Sequence, residues 1–391
     1  MNIIDPDRHR AIEGAVMPGF EALADTFDEI VGAGLEQGAA CAVFKDGVAV
    51  ADLWGGLRDG ERQLPWRHDT LVPVYSVTKG VVALLLLRLV DQGALELDEP
   101  VARYWPQFGA HGKGQLTVRA MLAHRAGLPF VDGQVDLAEL ADPIHMAARL
   151  AAQAPYFVPG ESHLYHALTI GWLSGELARR LTGQSIGAGL ATLGRQWGLE
   201  MYLGLPASAR ARVAVLDVQS ARQRAQWREQ SPAGSLAWRI TTLNGAIDLM
   251  PGAGGVDLND YRLQALELAG AGLITDARSL ASFYGHCLPC AGRAPLVSAA
   301  TIADACRLVS SGAPFGSEAA GAPWGAGLML PFDVQPMLGP SSFGHDGYGG
   351  SLAFADRASG VAFAYVRNRL APGGAKDHTV YRMVDVLRNL L

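Results

Sequence analysis

The chain has 391 residues, 49% of them hydrophobic and 18% charged, with a net charge of −6. That balance supports a large buried core and excludes a disordered chain. No Lys- or Arg-rich block occurs, which argues against nucleic acid as a partner.

The first twenty residues carry Asp5, Asp7, Arg8, Arg10 and Glu13 and lack the apolar stretch of a signal peptide. The longest apolar run, Val81 to Leu87, is too short to cross a bilayer and is stopped by Arg88. Four cysteines (Cys41, Cys287, Cys290, Cys306) make no secreted disulfide framework. Cys287-Leu-Pro-Cys290 spells C-x-x-C beside His286, but without a second pair it reads as core cysteine rather than a metal or redox site. The expectation is a soluble cytoplasmic protein with no membrane partner, metal or cofactor.

Phe20, Leu23, Ala24, Phe27, Ile30 and Val31 follow helical spacing, closed by Gly32 to Gly38. Ala39 to Phe44 and Val48 to Trp54 read as strands joined at Lys45-Asp46-Gly47, a hairpin signal. A glycine-rich loop then leads to a helix that opens at Ser76 and ends near Gly93, a natural C-cap. From about residue 95 to 270 the pattern is mainly helical. Thr117 caps one helix, Pro143 opens another through Gln153, and Leu168 to Leu181 is a long amphipathic one. Gln219 to Gln230 reads as an exposed connection. Strands return at Gly327 to Leu330, Ser351 to Asp356 and Val361 to Arg367, and Asp377 to Leu391 reads as a terminal helix. Short hairpin-linked strands imply an antiparallel sheet with helices over its face. The expected layout is an α/β domain of the α+β type, built from 1–95 and 271–391. Residues 96–270 form an inserted, mainly helical domain, and the functional site lies at the junction.

Ser76 and Lys79 stand one helical turn apart, on one face. A serine hydroxyl is a weak nucleophile until a base takes its proton, and a neutral lysine amine can do so. The positive end of the helix and an apolar surround both push the lysine pKa down. Bringing it from about 10.4 to roughly 7–8 takes about 4 kcal/mol, which burial can supply. Lysine is scarce: Lys45, Lys79, Lys113 and Lys376 stand against 28 arginines. An amine beside the most apolar helix start therefore suggests a need for a removable proton, which arginine cannot meet. The plainer reading is a surface lysine with a serine N-cap.

Gly183-Gln184-Ser185-Ile186-Gly187 competes, since it fits the G-x-S-x-G nucleophile elbow. It follows a helix instead of a strand, so Ser185 reads as the cap of the next helix. Tyr165 sits at a helix entrance after Phe157-Val-Pro-Gly160, where it could relay protons to Ser76 through Lys79 or simply pack. In Gly344-His345-Asp346-Gly347-Tyr348-Gly349-Gly350-Ser351, four glycines permit close backbone approach to a ligand. The stretch serves either as a tight turn into an edge strand or as a source of N–H groups for an oxyanion. Trp105, Trp172, Trp238 and Trp324 could line a pocket, though most of them read as core.

Ser76-Val-Thr-Lys79, Tyr165 and His345-Asp346-Gly347, in that order, resemble the motifs of serine β-lactamases and penicillin-binding proteins. The likeness is strongest to their esterase relatives, the family VIII carboxylesterases, which resemble class C β-lactamases in fold. Leu122-Ala-His124-Arg-Ala-Gly127-Leu128 and Phe157 to Gly160 add to it, and the resemblance runs from about residue 20 to 390. It implies the β-lactamase/transpeptidase-like fold, with Ser76 as acylated nucleophile and Lys79 as its activator. Tyr165 would be the general base or share that role with Lys79. The Ser76 and Tyr348 backbone N–H groups would form the oxyanion hole, and Tyr75, His345, Asp346 and Gly347 would contact substrate.

Two motifs depart from the β-lactamase pattern. Y-x-N becomes Tyr165-His-Ala167, and K-T-G becomes His345-Asp346-Gly347. The missing amide and ammonium are the groups expected to hold a β-lactam amide and carboxylate. The expected activity is therefore hydrolysis of short-chain neutral carboxylic esters through an acyl-serine. A β-lactamase or DD-peptidase-like enzyme, or an acyltransferase using the same nucleophile, stands as the alternative.

Overall fold

The computed structural model describes residues 2–3, 11–217, 225, 229, 231–248, 255–371 and 379–391. Strands β1 (Asn2–Ile3), β2 (Ile12–Val16), β3 (Gly38–Lys45), β4 (Val48–Asp59) and β5 (Leu64–Pro65) come from the first sixty-five residues. Three two-residue strands follow, β6 (Val72–Pro73), β7 (Met201–Tyr202) and β8 (Ile274–Thr275), which pair with one another in the order β6-β8-β7. Strands β9 (Ser342–Asp346), β10 (Leu352–Asp356) and β11 (Val361–Arg367) close the main sheet, whose order is β1-β2-β4-β3-β11-β10-β9 with β5 beside β4. Its pairings are antiparallel, so the two chain ends meet at β3 and β11 and β9 is left at an edge.

The β3–β4 hairpin forms where the sequence predicts it. Lys45 pairs with Val48, leaving Asp46-Gly47 as the turn, and both residues have positive φ (51° and 81°). A two-residue type I′ turn needs that conformation to match the twist of its strands. The strands are buried on both faces, and the period-2 alternation sorts their side chains by size. Ala40, Ala42, Ala353, Ala355, Ala362 and Ala364 face one core, Cys41, Val43, Phe354, Phe363 and Tyr365 the other. The alanine face lets the helix Ala277–Gly285 lie close, and a Cβ on Gly285 would meet that of Ala362 at 3.6 Å. The bulky face is covered by α1 (Glu21–Gly32) and the terminal helix Thr379–Asn389.

Between the sheet and the helical region runs α2 (Val77–Asp91), in which every residue from Val77 to Leu87 is buried. A helix apolar all round belongs inside a protein. Each Val or Leu it buries contributes about 1.5–3 kcal/mol, enough in sum to carry one lysine into the core. Helices α7 (Thr169–Thr182) and α8 (Ile186–Trp197) pack against α2, α3 (Val101–Tyr104), α4 (Val118–Leu122) and α6 (Pro143–Ala152) pack against α7, and α5 (Leu137–Leu140) packs against α6. Thr117 caps α4 and Asp142 caps α6.

Three stretches differ from the sequence reading. Gly327–Leu330 is not a strand: Met329 makes single bridges to Trp324 and Gly344, because positive-φ Gly327 turns the chain. His345 and Asp346 lie on β9 and not in a turn, their register to Ala353 and Leu352 set by the following hairpin. β2 went unread because Ile12-Glu-Gly-Ala-Val has no clean alternation. Of the Gln219–Gln230 connection only Ala225 and Glu229 are among the described residues, and the terminal helix is described from Thr379. No helix among the described residues is long and apolar enough to cross a membrane.

Candidate active site

Tyr75, 2% exposed, adopts φ 48°, the left-handed region that disfavours bulky side chains. Thr78 holds this corner. Its N–H donates to the Tyr75 carbonyl at 3.0 Å, its hydroxyl donates to the same oxygen, and that hydroxyl accepts from the Leu273 N–H at 3.0 Å. The strained corner presents Ser76 at the start of α2. There Ser76 makes no side-chain capping bond. Ser185, in contrast, accepts from Ala188 N–H as the cap of α8 and donates to Glu267 Oε2 at 2.6 Å. It follows a helix that ends at left-handed Gly183, so it lacks the strand of a nucleophile elbow.

Lys79 Nζ lies 2.9 Å from Ser76 Oγ and 2.7 Å from the Gly270 carbonyl oxygen. Only 5% of the residue is exposed. Burial pulls its pKa down to about 7, against a smaller upward pull from the Asp346 charge. In the neutral amine one N–H donates to Gly270 and the lone pair is left for the Ser76 proton. Gly270 reaches this point because α7 is notched: a Cβ on Gly171 would stand 2.2 Å from the Gly270 nitrogen. Ala167, where an amide was absent from the sequence motif, is buried and brings no polar side-chain atom.

The Tyr165 ring lies under the Lys79 ammonium position, 4.7 Å from centroid to Nζ. It stacks on Trp324 (5.5 Å, 24°) and meets His124 at 4.8 Å and His345 at 6.2 Å. Burial raises the Tyr165 pKa above the usual phenol range, with a smaller lowering from its hydrogen bond to Ser76. The phenol therefore keeps its proton near neutral pH, and Lys79 is the group poised to exchange one.

On the far side of Ser76 the β9–β10 turn closes in. A Cβ on Gly347 would lie 2.3 Å from the Val74 carbonyl oxygen, so only glycine lets the turn approach Tyr75 and Ser76. The Tyr348 ring meets Tyr75 edge-on at 5.6 Å. Among the described residues, neither the Ser76 nor the Tyr348 N–H donates to a protein acceptor. His345, 1% exposed, has Nδ1 2.6 Å from the Asp346 carbonyl oxygen, and burial lowers its pKa, so its ring is neutral. The Asp346 carboxylate is partly exposed. Grooves of about 470 and 490 Å³ elsewhere, along Arg58–Val215 and Trp66–Asp69, contain none of these residues.

The sequence carries no sign of Gly270 or of the position of His124, and it offers Trp324 only as one of four tryptophans that could line a pocket or the core. Gly270 acts through its carbonyl, which leaves no side-chain signal beyond the small-residue run Ala269 to Gly272. Trp324 reads as core and is buried, but against Tyr165.

Known proteins resemble this chain in sequence and fold over most of its length. Esterase/beta-lactamase LipL of Mycobacterium tuberculosis is 34% identical over 400 residues, covering 95% of this chain and 87% of that protein. The crystal structure of a penicillin-binding protein homolog from Caulobacter crescentus superposes with a TM-score of 0.84 at 33% identity, covering 97% of this chain and all of that one. That of a family VIII carboxylesterase gives 0.83 at 31%, with the same coverage. The family model described as Beta-lactamase matches residues 23–387, and the chain belongs to that family.

Proposed function

We propose that the chain is a serine carboxylesterase that hydrolyses short-chain neutral esters through an acyl-Ser76 intermediate. The observation that carries this reading is the 2.9 Å contact between Ser76 Oγ and a buried amine with a pKa of about 7. At pH 7–8 half or more of Lys79 is neutral and can take the serine proton as general base. Oγ attacks the ester carbonyl carbon, and the Ser76 and Tyr348 N–H groups receive the oxyanion. As the intermediate collapses, Tyr165 passes its proton to the leaving alkoxide and recovers one from Lys79. Water then attacks the acyl carbon as Lys79 takes its proton; collapse breaks the bond to Ser76 Oγ, and Lys79 returns the proton to that oxygen, which restores the serine and the neutral amine. Tyr75, His345, Asp346 and Gly347 shape the space around the carbonyl. The site joins an α/β domain (1–95 and 271–391) to a mainly helical insertion (96–270). In support, the main sheet draws on the chain ends alone, and Lys79 binds Ser76 on one side and Gly270 on the other.

Charge separates esters from β-lactams here. A lactam carboxylate needs a charge-assisted partner worth about 1.5–3 kcal/mol, roughly tenfold to a hundredfold or more in kcat/KM. Ala167 offers no such bond, burial keeps His345 neutral, and Asp346 adds negative charge. A neutral ester needs none of these partners. The test compares kcat/KM for p-nitrophenyl acetate and butyrate with that for nitrocefin at pH 7–8. The esters should be far better substrates. Nitrocefin turnover equal to or above theirs would overturn the ester reading. Slow lactam turnover is compatible with it, as the name of the LipL relative joins both activities.

A further inference from the structure

We propose that His124 is a positioning residue for Tyr165, holding the phenol in register with Ser76 and Lys79. The inference rests on the relay role given to Tyr165 above. His124 lies two residues past α4, where the chain turns left-handed (φ 65°). Glycine or asparagine is the ordinary occupant of such a position, and an imidazole there is strained. The strained residue is also 2% exposed, so its ring is directed inward.

What it meets inside is the segment that carries Tyr165. The His124 carbonyl accepts from the Leu164 N–H at 3.1 Å, and its Nδ1 accepts from the His166 N–H at 3.2 Å. Both chain neighbours of Tyr165 are thus tied to one residue. Accepting at Nδ1 places the imidazole proton on Nε2, and burial keeps the ring neutral. The ring itself lies 4.8 Å from that of Tyr165 and 4.6 Å from that of Trp324, which stacks on Tyr165. The clamp is closed from behind. Ser310 exchanges backbone hydrogen bonds with Trp324 (2.8 and 3.1 Å), and its hydroxyl donates to the Ala123 carbonyl at 2.8 Å. His124 and Trp324, themselves in ring contact, are therefore fixed to one frame, and the Tyr165 ring packs against both. Glycine at 124 would relax the backbone but surrender the ring and the Nδ1 acceptor together. Burial of a ring could serve packing alone, so the test must read Tyr165 and not stability.

A double-mutant cycle does this. His124→Asn tolerates the left-handed backbone and keeps an acceptor near the Nδ1 site, but removes the ring. With folding verified by near-UV circular dichroism, it should lower kcat for p-nitrophenyl butyrate by about tenfold to a hundredfold, the scale of an ångström-sized misplacement. KM should stay within about threefold. In a Tyr165→Phe background the same substitution should cost less than about twofold, because its effect passes through the phenol. Equal losses in both backgrounds, or no loss in either, would overturn the inference. Full activity of Tyr165→Phe alone would instead remove the relay role on which it rests. Should His124→Asn fail to fold, His124→Gln carries the same cycle.

Discussion

Replacing Lys79 by methionine should stabilise the protein at pH 6, and progressively less as the pH rises. Folded Lys79 releases its proton at about 7, whereas an exposed lysine does so at 10.5. Between those values the unfolded chain holds a proton that the folded chain has lost. Wild-type stability therefore rises with pH over that window, by about 1.4 kcal/mol per pH unit. Below pH 7 both states are protonated and the whole penalty of the buried ammonium is present, on the order of 5 kcal/mol. Above 10.5 it vanishes. Methionine fills a similar volume and carries no proton, but it leaves the Gly270 carbonyl without its donor, which costs about 1–3 kcal/mol at any pH. The variant should then exceed wild type by roughly 2–4 kcal/mol at pH 6. By pH 9 that advantage should shrink by about 3 kcal/mol, a difference from which the constant hydrogen-bond loss cancels. Urea denaturation of both proteins at pH 6, 7.5 and 9 measures it directly. A gap between variant and wild type that is the same within about 0.5 kcal/mol at pH 6 and 9 would show that Lys79 keeps an ordinary lysine pKa. The general-base role would fall with it.

Ser76→Ala should abolish ester hydrolysis, whereas Ser185→Ala should keep most of it and lose about 1 kcal/mol of stability with the α8 cap; turnover and melting of the two variants separate these roles, and loss confined to Ser185→Ala would reverse them. The pH profile of kcat/KM should rise through about 7 as Lys79 sheds its proton. Asp346→Asn should move that rising limb to lower pH, since the Asp346 charge stabilises the ammonium; a limb that stays put or moves upward would refute the coupling.

Much of the site was legible because its chemistry is local. Ser76 and Lys79 are three residues apart, and helical periodicity alone puts them on one face. The α2 core was equally plain, since an unbroken run from Val81 to Leu87 can only be buried. Tyr165 and the His345–Gly347 stretch were visible as an ordered set but not as neighbours, for 89 residues separate Ser76 from Tyr165. His345 and Asp346 were misread as turn residues because they stand among the four glycines of Gly344 to Gly350, although only Gly344 of these lies on β9. The ladder of β9 with β10 overrides that turn composition, and a Cβ on Gly344 would strike the Ala353 carbonyl oxygen at 2.2 Å.

The sequence by itself determined the hairpin, the buried helix, the nucleophile–amine pair and the family resemblance, all of which depend on residues close together or on fixed local spacing. The tertiary structure alone decided that the Gly270 carbonyl orients the amine, that Ser76 makes no capping bond while Ser185 does, and that Tyr165 packs against both His124 and Trp324. It also decided which group can give up a proton near neutrality. Desolvation depends on everything packed around an atom, and no stretch of sequence records what the rest of the chain brings to it.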